Sequence, residues 1–248
     1  MYNLKKGLNI PISGSPEGTV SDSTKISHVG ILGPDYIGMK PTMMVEVGDQ
    51  VKIGSVLFED KKNPGVFFTS PAGGLIKSIN RGEKRRFISI EIEVADQENQ
   101  VEILNDSDEI LLRNLSKYGV INNFRTRPFN KTPKPNDIPN DIFVNVCDTN
   151  PLSVDPYIYL QHEIDLFNRS LMKLKEIFNC NIHVCYQNND FNNFIDGINY
   201  YNFKGPHPAG LSGTHIHFIK HVYINSKCWY TDGQGILSFG DFALNNKI

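Results

Sequence analysis

Three histidines lie close together in the stretch GPHPAGLSGTHIHF: His207, His215 and His217. Imidazole titrates near neutral pH, so such a group can handle a proton or ligate a metal. His215 and His217 are two apart, and on a strand they would point the same way, as a metal pair requires. His221 and Asp232 follow, but no residue completes an obvious ligand set. Loop structure and contact with a partner are the simpler roles. Upstream, Arg125 and Arg127 in RTRPF offer guanidinium groups to an anionic partner or to structural ion pairs. Asp148 and Asp155 in DTNPLSVDP could hold a cation, but they are better placed to cap a turn and a helix.

Other chemistry is excluded by spacing. Cys147, Cys180, Cys185 and Cys228 form no C-x-x-C pair, and Cys147 and Cys185 sit inside apolar runs. They read as small buried residues, since iron–sulfur ligation needs clustered cysteines. Gly30, Gly33 and Gly38 do not make a G-x-G-x-x-G, and no helix follows them, so a nucleotide loop is not indicated.

The elements that must position these residues fall into two halves. From Val45 the sequence VEVGDQVKIGSVLFED reads as strands separated by turns at Gly48-Asp49 and Gly54. The pattern returns in VFFTSPAGGLIKSINRGEKRRFISIEIEV. In its last strand Ile88, Ile90, Ile92 and Val94 share one face by period two. This order resembles the barrel-sandwich fold of biotinyl and lipoyl carrier domains. The hairpin tip Glu59 to Gly65 holds Lys61 and Lys62, without the sequence context of a modified lysine, so a solvated turn is expected there.

In the second half EILLRNLSKYG carries a helical stripe, capped by Ser107 or Asp108 and closed by Gly119. KTPKPNDIPN, residues 131–140, reads as an extended linker or a surface loop. Asp141 to Cys147 is a short apolar strand. A helix capped by Asp155 runs to about Phe178, with Ile164, Phe167, Leu171 and Leu174 on one stripe. Asn181 to Tyr186 is the next strand. Strand, helix and strand make a βαβ unit, and hence an α/β architecture. The expected division is a barrel-sandwich β domain over 1–103 and a Rossmann-like α/β domain over 104–248.

Composition narrows the partners. Hydrophobic residues are 40% of the 248, charged residues 21%, and the net charge is -2. A nucleic-acid binder would carry a basic surplus, and a disordered chain would be less apolar. No apolar run approaches the roughly 20 residues of a membrane span, and the N-terminus lacks a signal-peptide pattern. A soluble, cytoplasmic chain is the expectation.

The stretches KKGLNIPISGSPE, GMKPTMMVEVGDQVKIGSVLFEDKKNPGVFFTSPAGG, INRGEKR, DTNPLSVDP and GPHPAGLSGTHIHF resemble the NqrA family, the A subunits of the sodium-translocating NADH:quinone oxidoreductases. The resemblance implies a peripheral, non-catalytic subunit on the cytoplasmic side of the bacterial inner membrane. The complex oxidises NADH, reduces ubiquinone and exports Na+. Its NAD, FAD, FMN, riboflavin and Fe–S chemistry is expected in other subunits. This chain is expected to bind no cofactor and to dock on the membrane-embedded B subunit, which carries flavin and quinone chemistry. His207, His215, His217, Arg125 and Arg127 become candidates for quinone or subunit contact. The family's β-grasp and C-terminal helical regions are expected to be absent.

More distantly, the chain resembles the C subunit of the Rnf complex and the flavin subunit of complex I. Those relatives bind flavin through a glycine-rich loop, whose backbone can approach the phosphate. Here that place reads Gly119-Val120-Ile121-Asn122-Asn123-Phe124, which implies that the flavin site is lost. A flavin- or NADH-binding subunit of that type and a lipoyl-like carrier with a cofactor on Lys61 or Lys62 are the two rival readings.

Overall fold

The computed structural model describes residues 1–20, 24–96, 99–103, 105, 107–187, 191–192 and 194–248. The chain opens with a short strand, β1 (Tyr2–Asn3). Seven strands follow: β2 (His28–Leu32), β3 (Pro41–Met43), β4 (Gln50–Val51), β5 (Val56–Asp60), β6 (Phe67–Thr69), β7 (Gly74–Arg81) and β8 (Phe87–Val94). After α1 (Asp108–Lys117) and β9 (Arg125–Arg127) come β10 (Asp141–Val146), α2 (Tyr157–Leu160), α3 (Ile164–Phe178), β11 (Asn181–Tyr186) and β12 (Asn199–Lys204). The chain continues through α4 (Ser212–Ile219), β13 (Cys228–Asp232) and α5 (Gly233–Asn245).

Two compact units result. One holds Met1–Asp22, Phe124–Phe129 and Ile138–Gly240; the other holds Ser23–Asn123, Asn130–Asp137 and Asp241–Ile248. They interleave along the chain because β1 pairs with β12, while Thr69 on β6 donates to the Tyr118 carbonyl just past α1. The compact units therefore do not coincide with one cut in the sequence.

The unit that begins at Ser23 contains the barrel-sandwich. It has a four-stranded sheet, β2-β8-β7-β4, and a three-stranded one, β3-β5-β6. Phe58 of β5 stacks on Phe68 of β6 at 4.6 Å and meets Phe87 of β8 edge-on at 5.2 Å. Aromatic contacts within and between the two sheets close the core. Ile88 departs from the period-two pattern of its strand. The β7–β8 register shifts between Asn80 and Arg81, so Arg81 pairs with Phe87 and Ile88 is skipped. This bulge turns Phe87 inward and leaves Ile88 38% exposed, off the face of Ile90 and Ile92. At the hairpin tip Asp60 accepts the backbone N–H groups of Lys40 and Lys62, and Lys61 and Lys62 stay exposed.

α1 begins and ends as its residues dictate. The Ser107 hydroxyl accepts the N–H of Ile110, and Gly119 follows with a φ of +76°, the left-handed turn that closes a helix.

The α/β unit is a six-stranded sheet in the order β1-β12-β11-β10-β13-β9, parallel except for β9. Ile142, Val144, Ile182 and Val184 are fully buried, as strands covered on both faces require. The helix after β10 is two pieces, α2 and α3, rather than one, with Gln161 to Glu163 between them. On α3, Phe167, Leu171, Leu174 and Phe178 are buried. Gly240 of α5 meets α3 so closely that a Cβ there would lie 1.9 Å from the Ser170 hydroxyl.

Asp141 starts β10 as a buried carboxylate. Lys220, one residue past α4, donates to one of its oxygens, and His183 Nε2 of β11 to the other at 3.0 Å. Burial pushes the Asp141 carboxyl up, but the hydrogen bonds from Lys220 and His183 outweigh it and hold the group below its ordinary value. Burial lowers His183 more than Asp141 raises it, so His183 is a neutral donor. Lys220→Met leaves the carboxylate half-satisfied. The expected loss is about 2 kcal/mol in urea unfolding, discounted because Lys220 is 44% exposed. Asp141→Asn in that background should recover part of it.

Candidate functional site at the carboxyl end of the sheet

The strand order β12-β11-β10-β13 reverses direction of travel at β10. Successive strands step one way from β10 to β12, and the chain then crosses back through α4 to β13. In open parallel sheets the crevice at the carboxyl end of such a switch is where ligands bind. A cleft of about 1030 Å³ lies there. β10 contributes Asn145, and Cys147 lies just beyond its end; β13 contributes Tyr230 and Asp232, and the edge strand β9 contributes Arg127. The rest of the wall comes from the 148–156 loop with α2, the 208–211 loop with the first turn of α4, the start of α5 and residues 17–20.

These loops are locked together. Gly210 N–H donates to the Thr149 hydroxyl at 3.0 Å, and the Asn145 amide donates to the Gly210 carbonyl at 2.9 Å. A Cβ on Gly210 would stand 2.6 Å from the Thr149 nitrogen, so only glycine fits. Asp148 accepts the Asn150 N–H at 2.8 Å and Asp155 accepts the Tyr157 N–H at 2.9 Å. Both carboxylates cap local structure, as their spacing indicated.

Of the five candidate residues, Arg127 alone lines this cleft. Its guanidinium lies over the Tyr230 ring at 4.6 Å, a cation–π contact. Its Nε is buried without a hydrogen-bond partner among the described residues. Gly213 leaves room beside it; a Cβ there would approach Nη2 to 3.3 Å. Arg125, two residues earlier, donates to the Phe124 carbonyl at 3.1 Å and does not line the cleft. His207 lies in an adjacent groove, where Nδ1 is 3.2 Å from the Thr149 carbonyl and 3.1 Å from its hydroxyl.

The strand reading of His215 and His217 is overturned. Both lie on α4, where residues two apart point to different sides. His215 is buried and His217 exposed, so they cannot form a metal pair. His215 Nε2 donates to the Ala209 carbonyl at 2.7 Å, which fixes the neutral tautomer and pins the 205–210 loop to α4. Among the described residues no group of three or more His, Cys, Asp or Glu is arranged to hold a metal ion.

Sequence reasoning missed Tyr159. Burial, with the carboxylates of Asp232, Asp148 and Asp155 nearby, pushes its phenol well above the ordinary value. It is a neutral phenol lining the cleft, its oxygen accepting the Gln234 backbone N–H, in acidic surroundings that contrast with the cation at Arg127. Nothing in YIYL marks Tyr159 out; only the fold places it at the switch point. The four thiols are buried, and burial raises all of them, Cys180 and Cys228 to about 12.

Comparison with known proteins matches both halves of the chain. Residues 2–95 match the NqrA N-terminal barrel-sandwich hybrid domain, and residues 106–248 match the NqrA second alpha/beta domain. The chain belongs to the NqrA family. Its relatives include the A subunit of the Na(+)-translocating NADH-quinone reductase of Yersinia pestis, 43% identical over 257 residues, and that of Neisseria meningitidis, 45% identical over 262. The A subunit of the Histophilus somni reductase is 40% identical over 257. Each alignment takes in 100% of this chain and 58% of the relative, so the chain spans little more than half of its NqrA relatives.

In this NqrA chain the Val120 and Ile121 side chains are buried. No helix among the described residues is long and apolar enough to cross a membrane.

His215 makes the fold sensitive to acid. Its pKa is held at about 4 by burial, against an ordinary 6.5. The unfolded chain therefore takes up a proton that the folded chain refuses. This stability is complete above about pH 6.5 and is lost as pH falls toward 4, in total about 3 kcal/mol. Denaturant unfolding between pH 4 and 7 should show that slope, and His215→Gln, which keeps a donor for Ala209, should flatten it.

Proposed function

We propose that the chain acts as a peripheral, flavin-free subunit on the cytoplasmic face of a sodium-pumping NADH:quinone reductase. In this reading the other subunits carry NADH oxidation, the flavins and the Fe–S centre. The membrane subunit that handles flavin and quinone is its docking partner. The observation that carries the reading is the match of the whole chain to relatives named as the A subunit of that reductase. The buried Val120 and Ile121 add to it, since bulky side chains deny a phosphate the close backbone approach that glycines allow.

The switch-point cleft is the best place for a quinone contribution. A quinone headgroup needs apolar walls and donors for its two carbonyl oxygens. Val154, Ile158 and Leu211 supply walls, and the Arg127 guanidinium and Tyr159 phenol supply donors. His207 sits one groove away and His217 faces solvent, so these two fit subunit contact better than quinone contact. Trp229, buried one residue before Tyr230 on β13 and packed on Phe124 and Phe178, is the chain's one tryptophan and serves as the fluorescence probe.

Intact mass and an absorbance spectrum come first, then titration with a short-chain ubiquinone analogue followed by Trp229 fluorescence. The expected protein is colourless, has the sequence mass, and responds to the analogue. Arg127→Gln should weaken that response about tenfold, the value of one hydrogen bond to a charged donor. A colourless protein with no response leaves docking as the role and removes the quinone contribution. A yellow protein overturns the flavin-free reading, and added mass on Lys61 or Lys62 revives the carrier reading.

A further inference from the structure

The barrel-sandwich unit carries a cleft of its own, of about 450 Å³. Its apolar lining includes Tyr36, Met39 and Phe87. Its rim is made by Lys40, Lys62, Arg81, Lys84, Arg85 and Arg86, all exposed. Among the described residues the ion pairs lie elsewhere, and none of these six cations takes part in one. The acids closest in sequence, Asp35 and Glu83, are too few to neutralise them. Asp60 is occupied by the backbone N–H groups of Lys40 and Lys62. In a chain of net charge -2 this local surplus is not a reflection of composition.

The loop that presents three of the cations is built against local preference. Lys84 and Arg85 have φ of 53° and 59°, a left-handed backbone that side chains disfavour. The 3-10 turn over Glu83–Arg85 buries no residue, so the core does not repay that strain. The Arg81 guanidinium reaches the Arg85 carbonyl at 3.4 Å and steadies the loop. Exposed aliphatic side chains accompany the cations. Ile37 lines the cleft at 54% exposure, Leu32 immediately precedes its first lining residue, and Ile88 lies against Gly82 at the base of the loop.

From this juxtaposition we infer that the cleft and its rim receive the phosphates of anionic phospholipid headgroups at a bilayer surface. Cations meet the phosphates, and Ile37, Leu32 and Ile88 enter the boundary between headgroups and acyl chains. A free phosphate would use the cations and leave the aliphatic side chains without a role. The inference does not depend on the quinone reading, because it concerns different residues in the other unit.

The test is co-sedimentation of the chain with vesicles of phosphatidylcholine alone and of phosphatidylcholine mixed with phosphatidylglycerol. Binding is expected only to the mixed vesicles, falling with added salt. The triple variant Lys84→Gln, Arg85→Gln, Arg86→Gln should lose ~100-fold in partitioning, at about fivefold per cation near an anionic surface. Ile37→Ser should lose about tenfold with the charge intact. Lys5→Gln, Lys6→Gln, in the other unit, should bind as the native chain does. Circular dichroism of the variants checks that each is folded. Equal binding to both vesicles, or a triple variant that binds as native, overturns the inference. So does millimolar inorganic phosphate displacing the vesicles at constant ionic strength, which would make this a site for free phosphate. Binding to polyglutamate with none to vesicles would assign the rim to an acidic protein instead.

Discussion

A carboxylate buried at the start of the central strand has to be satisfied, and the way Asp141 is satisfied sets the geometry of the α/β unit. Lys220 reaches it from the far end of α4 and His183 from the neighbouring strand. That fastening fixes where α4 ends, and its length then fixes where it begins. Ser212 and Gly213 consequently stand at the opposite, carboxyl edge of the sheet, beside Arg127. His215 secures the preceding loop to the same helix. The ion pair thus holds one end of α4, and the other end, Ser212 and Gly213, lines the cleft.

The cleft itself is chemically divided. Arg127 is a cation resting on an aromatic face, whereas Tyr159 is a phenol kept protonated by burial and by nearby carboxylates. Both are donors, reached from different elements. Among the described residues Arg127 takes part in no ion pair, in contrast to the Lys220–Asp141 fastening. A site of this kind favours a ligand with acceptors and an apolar body over one that brings its own positive charge.

Much of this is legible in the sequence where local physics decides. The apolar spacing of α3, the Ser107 cap and Gly119 after α1 depend on neighbours within one or two turns, and the residues announce all three. What escapes a reading of the sequence depends on distant partners. GTHIHF alternates like a strand, but α4 forms because His215 finds the Ala209 carbonyl and Ile216 finds the core. Ile88 follows the period of its strand until a bulge shifts the register. Strand β12, NYYNFK, has too little apolar pattern to announce itself, yet it extends the sheet beyond β11 and is the strand on which β1 pairs. Arg127 is visible as a cation and invisible as the residue of the cleft.

The four cysteines have a practical side. All are buried within the α/β unit and all are held as thiols far above neutral pH. Thiolate is the reactive form, so the native chain presents almost none to a maleimide or a disulfide reagent. An exposed cysteine placed on the barrel-sandwich rim or the cleft wall would therefore label alone, with every native thiol left in place. The molecule comes ready for spin labels, fluorophores and cross-linkers at a single chosen point.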